Sequence, residues 1–234
     1  MAFILLPNTI LFKECIETNM YFDNFNDTDK RLRSCVNCKD DYYGSIRVLN
    51  NSEYDFLYPI IQRINDMLSG YLVFKEIPWK ILICHDKESQ FPHTHGVFIV
   101  LPDNFIKINN LMKLLLHEKV HIYQRLYPCQ TNILFTRFWG FNIKNMLNKK
   151  SRANRRSNPD INKIVYVDEN GNEFDNNYVE NATSLGEIKD RRDHPNEMMA
   201  YILQDMLLPL PLLCKSNQSK SNQSIENWLK LGFF

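Results

Sequence analysis

The chain has 234 residues and a mass of 27.8 kDa, which suits one large domain better than two small ones. Apolar residues make up 44% and charged residues 24%, an ordinary globular balance that excludes disordered and fibrous classes. Lys plus Arg number 28 against 27 Asp plus Glu, so the formal charge of +1 supplies no long-range field toward nucleic acid or an anionic membrane. The opening run Met1–Pro7 lacks a basic region and stops at Pro7, too short for a secretory signal, and no stretch reaches the ~20 apolar residues of a spanning helix. The cysteines (Cys15, Cys35, Cys38, Cys84, Cys129, Cys214) are scattered and do not read as a disulfide framework. The expectation is a soluble, cytoplasmic protein in a reducing compartment that does not engage a membrane.

Residues 1–50 show strand-like pieces around an acidic segment, Asp23–Asp29. A helix is expected from about Glu53 to Ser69, on the helical spacing of Phe56, Leu57, Ile60, Ile61, Ile64 and Leu68, with Pro59 arguing for a later start. Trp79–Cys84 and Gly96–Leu101 read as strands. A second helix spans roughly Asn109–Arg125, capped by Asn109 or Asn110. Ile133–Leu147 reads as helical with a break near Gly140, and Lys149–Pro159 as a basic loop. Ile164–Val167 and Glu173–Tyr178 flank an Asn-Gly and suggest a hairpin. A third helix starts near Pro195 and ends before Pro209 or Pro211, since Pro favours the first helical position. The organisation expected is one domain over residues 1–214, with its core at about 53–210. Residues 215–234 read as a polar linker (the repeat SNQSKSNQS) and a short apolar tail that docks on the parent domain or on a partner.

The second helix carries His117-Glu118-Lys119-Val120-His121, an HExxH. Residues four apart lie on one helical face, so both imidazoles reach a single ion, and Zn²⁺ favours neutral imidazole in four-coordinate geometry. Glu118 is rotated about 100° from His117 around the axis, which aims it at a water beside the ion, where a general base belongs. Six His and twelve Glu in a chain this long give roughly 0.01 chance occurrences of the pattern. The apolar surroundings (Leu111, Leu114, Leu115, Leu116, Val120, Ile122) mark the helix as buried, and buried His and Glu need partners.

Two histidines leave a catalytic zinc site one protein ligand short. Glu197, in His194-Pro-Asn-Glu-Met-Met-Ala-Tyr201, opens an apolar helix and is the candidate; the competing reading makes it an N3 capping residue behind His194. His194 is the alternative ligand, and Asp190 and Asp193 are weaker ones. His93 and His95 precede the second strand and read equally as cleft-wall residues or exposed turn residues. Arg125 pairs with a carboxylate behind the ligands or is a surface residue. Tyr166, Tyr178, Tyr201 and His194 are candidate oxyanion donors. Cys35 and Cys38 have CxxC spacing but no second half, and read as incidental. The basic run Lys144–Arg156 is only a weak hint of nucleic-acid contact.

HExxH on a helix, preceded by a strand and followed by Asn-Glu on a later helix, resembles the zincin metallopeptidases, and a Glu third ligand is similar to their gluzincin branch. The strings FPHTHGVFIVLP (91–102), LLLHEKVHIYQR (114–125) and HPNEMMAYIL (194–203) also resemble predicted metallopeptidases of large nucleocytoplasmic DNA viruses. The resemblance covers roughly residues 90–205. It implies an α+β, zincin-like fold with a mixed sheet packed on the active-site helix, and Gly96–Leu101 as the edge strand that binds extended substrate. It also implies one Zn²⁺ per chain on His117, His121 and Glu197, Glu118 as base, and a peptide or protein substrate, in host cytoplasm or virion. The alternative is a non-catalytic, zinc-stabilised structural or virion component.

Overall fold

The described part of residues 9–47 folds largely as helices in the computed structural model, which describes residues 9–19, 21–35, 37–85, 91–146, 154–174, 176–189, 193–208 and 220–229. They are α1 (Thr9–Asn19), α2 (Asp27–Arg33) and α3 (Cys38–Gly44), followed by the two-residue strand β1 (Ile46–Arg47). The strand-like reading failed because α1 buries only Phe12 and Ile16 while Ile10 and Leu11 face out, which blurs the helical period. In α2 the Asn26 side chain accepts from Asp29 N, and the Asp29 carboxylate accepts from Asn26 N.

Helix α4 (Asn51–Met67) starts two residues before the expected Glu53 and contains Pro59. Asn50 and Glu53 close a capping box, and Arg47 clamps the Glu53 carboxylate through two 2.8 Å bonds. A short helix, α5 (Leu72–Glu76), leads to β2 (Lys80–Cys84), then β3 (His93–His95) and β4 (Phe98–Pro102). The sheet is mixed, in the order β1-β2-β4-β3: β2 runs parallel to β4, and β1 and β3 are antiparallel to their neighbours.

This sheet is covered on both faces, which is why its central strands are nearly continuous apolar runs. Ile81, Ile83, Ile99 and Leu101 join the main core with Leu57, Ile61, Leu115 and Val120. Leu82, Cys84, Phe98 and Val100 point the other way, onto Phe12, Ile16, Phe22 and Tyr42 of the N-terminal helices. The fold is therefore α+β with a mixed sheet, and the N-terminal helices are the lid of its second face.

Helix α6 (Leu111–Leu126) carries the HExxH and packs on α4, on the sheet and above all on α8 (Pro195–Leu207), which begins at Pro195 as expected. Between them the chain departs from the sequence reading. Helix α7 (Pro128–Ile133) runs into a π-helical turn at 134–138, and Gly140 (φ +74°) ends it. Residues 142–146, expected to be helical, form β5 (Asn142–Met146), paired antiparallel with β6 (Ile164–Val167). The Asn170-Gly171 turn is present, but its far arm keeps only a bridge at Glu173 before diverging to β7 (Asn177–Tyr178), which pairs with β8 (Ile188–Lys189). Helix α9 (Lys220–Leu229) absorbs the second half of the polar repeat and buries Ile225 and Trp228 in the main core, so the tail docks on the parent domain. The first half of the repeat, like Met1–Pro7, residues 147–153, Asp190 and Cys214, lies outside the described residues.

Candidate metal centre

Helices α6 and α8 bring three side chains to one point. His117 Nε2 and His121 Nε2 lie 3.0 Å apart, and Glu197 Oε2 lies 3.2 Å from the first and 3.6 Å from the second. A tetrahedral ion with ligand bonds of ~2.0–2.1 Å holds its donor atoms about 3.3 Å apart. The three separations therefore match the face of such a tetrahedron, so the residues present fit a metal ion.

His121 and Glu197 are oriented from behind. His121 Nδ1 donates to Gln124 Oε1 (2.9 Å), and Gln124 Nε2 donates to the Asn196 carbonyl (2.8 Å), which ties α6 to the first turn of α8. With the proton fixed on Nδ1, the neutral ring presents the Nε2 lone pair to the centre. Asn158 Nδ2 donates to Glu197 Oε1 (2.7 Å), leaving Oε2 facing the histidines. His194 belongs to the helix start and not to the centre. Its Nδ1 accepts from Asn196 N and its Nε2 donates to the Ile164 carbonyl, so both ring nitrogens are spent, and burial pulls its pKa down to about 4.

Glu118 is buried beside these ligands, and its Oε2 has no hydrogen-bond partner among the described residues. A buried carboxylate oxygen without a donor is costly and calls for an ion, a water or a proton. Burial, with Asp160 nearby, holds the Glu118 carboxyl well above its usual range. Asp160, Glu118 and His121 form a second group whose ligand-type atoms lie within 4.8 Å of one another. In the ion-free arrangement burial lowers the His121 pKa, but the Glu197 and Asp160 carboxylates outweigh it and push the group up to about 9. Burial raises the Glu197 carboxyl, and the two histidines more than reverse this, leaving it well below its ordinary range.

The centre opens into a cleft of about 490 Å³ lined on one wall by Phe91, Pro92 and His93 and on the other by Asn158, Glu197 and Tyr201. Of the candidate oxyanion donors, Tyr201 lines this cleft, its ring 4.6 Å from that of His117. Tyr166 donates to Asn132 Oδ1 and Tyr178 to Asp29, away from the ligands. His93 and His95 are buried, not exposed: His93 Nε2 meets the Tyr42 hydroxyl at 2.6 Å, and His95 is ringed by Phe12, Tyr21 and Tyr42.

The expectation for the edge strand is overturned. Gly96–Leu101 corresponds to β4, an interior strand; the edges are β1 and, beside β4, β3. Even β3 is not free at its centre, because Thr94 N donates to Asp160 and the Thr94 carbonyl accepts from Arg125. Arg125 is thus a buttress, joining α6 to β3, Asp160 and the Pro159 carbonyl. The sequence reading missed Gln124, Asn158, Asp160 and Asn196. Gln124 follows His121 by three positions and was within reach of a helical-spacing argument; the 158–160 turn carries no local signal.

The CxxC is also not incidental. Cys35 and Cys38 form a disulfide at the start of α3, with Cα atoms 4.8 Å apart, whereas Cys15, Cys84 and Cys129 are thiols outside any disulfide. Among the described residues no helix is long and apolar enough to cross a membrane. No family model matches the chain, and no curated protein or solved structure matches it.

Proposed function

We propose that the chain is a zinc-dependent peptidase of zincin-like, gluzincin-type arrangement, with His117, His121 and Glu197 as ligands and Glu118 as general base. The observation that carries this reading is the convergence of three ligand-type atoms at tetrahedral spacing beside a buried carboxylate oxygen with no hydrogen-bond partner among the described residues. A zinc ion held there would acidify a neighbouring water and polarise a scissile carbonyl. Glu118 would take the proton from that water and pass it to the leaving amine. Tyr201, half exposed on the cleft wall beside His117, is placed to donate to the developing oxyanion.

The substrate would enter the cleft between Phe91–His93 and the Asn158 wall. Strand addition at Thr94 is not part of the reading, since Asp160 and Arg125 hold both outward-facing backbone groups. A purely structural ion is the competing account. Against it stand the open cleft of about 490 Å³ at the ligands and the unengaged Glu118 oxygen, neither of which a closed structural site requires.

The test is Glu118→Gln. The variant keeps about one zinc per chain and its fold, but loses hydrolysis of a quenched-fluorescent peptide library by ~10²–10⁴-fold. A wild type that hydrolyses the library and a Glu118→Gln chain that cleaves as fast would remove Glu118 from the mechanism. A zinc-loaded wild type with no hydrolysis on any library would remove the peptidase reading.

A further inference from the structure

Behind the metal centre, across the wall formed by residues 156–159, lies a second cavity of about 420 Å³, in the size range of small-molecule sites. Among the described residues its lining contains four cationic side chains, Arg125, Arg155, Arg156 and Lys163, and no carboxylate. Two of the charges are neutralised from outside the cavity: Arg125 by Asp160 and Arg155 by Glu173, each at 3.3 Å. Arg156 and Lys163 have no ion-pair partner among the described residues. Arg156 lies with its guanidinium 5.5 Å from the Phe91 ring centre, and its Nε is buried without a hydrogen-bond partner.

Two cations without an ion-pair partner on the lining of one concave site leave an excess of positive charge there that an anion would offset. We propose that this cavity is a binding site for a small molecule bearing an oxyanion, a phosphate or a carboxylate, with Arg156 and Lys163 as its charge partners. The proposal is independent of the peptidase reading, since none of its charge partners is a metal ligand or the base. Its position gives it a bearing on the centre, because the shared wall carries Asn158, the residue that holds Glu197.

The experiment is calorimetric titration of the full chain, freed of metal by dialysis, with inorganic phosphate, pyrophosphate and succinate at constant ionic strength. Saturable binding of one equivalent is expected for a phosphate probe or for succinate, and which of them binds identifies the oxyanion. Lys163→Gln should weaken it by about tenfold, the usual loss for one hydrogen bond to a charged group. Lys163 is exposed, so this variant keeps the wild-type melting temperature, and it lines only the rear cavity, whereas Arg156 borders both. No saturable heat with any of the probes overturns the proposal. So does binding that Arg156→Gln abolishes and Lys163→Gln leaves intact, which would place the anion in the metal cleft.

Discussion

Asp29→Ala should be among the most destabilising single substitutions in the chain, although the residue lies in a segment whose sequence has no legible pattern. Its carboxylate is fully buried and accepts from Arg33 (2.6 Å), the Tyr178 hydroxyl (2.8 Å), Ser157 Oγ (2.7 Å) and two backbone N–H groups, those of Asn26 and Ser157. It therefore pins α2 both to the wall at 155–158 and to β7. Removing one partner of a buried ion pair costs about 3–5 kcal/mol, because the other charge is left without compensation. Arg33 would retain the Ser157 carbonyl and the Tyr21 and Tyr178 hydroxyls, which places the expectation at the lower end. Against a domain stability of roughly 5–15 kcal/mol that is a large fraction. The assay is urea unfolding, read as a lower midpoint at unchanged slope. The apolar double variant Asp29→Leu/Arg33→Met should recover most of the loss, since no charge is then stranded. A loss below about 1 kcal/mol in Asp29→Ala, or strictly additive single and double variants, would refute the reasoning.

Lys119→Met should raise stability at neutral pH. Its ammonium is buried between Trp79 and Phe74, hydrogen-bonded only to the Ile77 carbonyl, and burial pushes its pKa down to about 7. The unfolded chain keeps this lysine protonated up to ~10.4, so it binds more protons than the folded chain above about pH 7. Wild-type stability should therefore climb across that window by at most ~1.4 kcal/mol per pH unit, and the variant should not share the climb; parallel curves in chelator would sink the idea. Glu197→Ala should lose zinc and its zinc-dependent gain in melting temperature, whereas His194→Ala should keep both while losing about 1–3 kcal/mol of stability, since it forfeits the cap on Asn196 N and the bond to the Ile164 carbonyl. Zinc retained in the first and lost in the second would exchange their roles. Cys35→Ser/Cys38→Ser should leave zinc stoichiometry unchanged by metal analysis, since neither cysteine belongs to a group of ligand-type atoms close enough to share an ion; a fall of one equivalent would reveal a second site.

What the sequence made legible follows from how locally each feature is encoded. The HExxH, the Pro195 start of α8 and the two apolar strands depend on spacings of four residues or fewer and on turn chemistry, and they appear where expected. Which strand forms the edge was not legible, because strand order is set by pairing across the sheet and β3 is only three residues long. The π-helical turn at 134–138 was read as ordinary helix, since both present apolar residues at similar intervals. The disulfide was dismissed on composition, yet its pairing depends on two neighbours meeting at the start of α3. Apolar runs in β2 and β4 with no alternation already implied a cover on both faces, and that implication identifies residues 9–44 as part of the domain more firmly than their own pattern does.

The centre also has a charge argument that no single motif contains. Glu118, Glu197 and Asp160 place three buried or nearly buried carboxyls around the histidines, and Arg125 is the one side-chain cation that reaches them directly among the described residues. Three such groups against one guanidinium are unfavourable in a low dielectric unless protons or a cation make up the difference. The hydrogen bonds are already spent elsewhere: Gln124 on His121, Asn158 on Glu197, Thr94 on Asp160. What these bonds leave open are the two Nε2 atoms, one oxygen of Glu197 and one of Glu118. Three of those atoms lie at the spacing of a tetrahedral face, and the fourth belongs to the residue whose rotation around α6 carries it past the ligands. A divalent ion with an adjacent water satisfies all four atoms at once, whereas a proton satisfies them only one at a time.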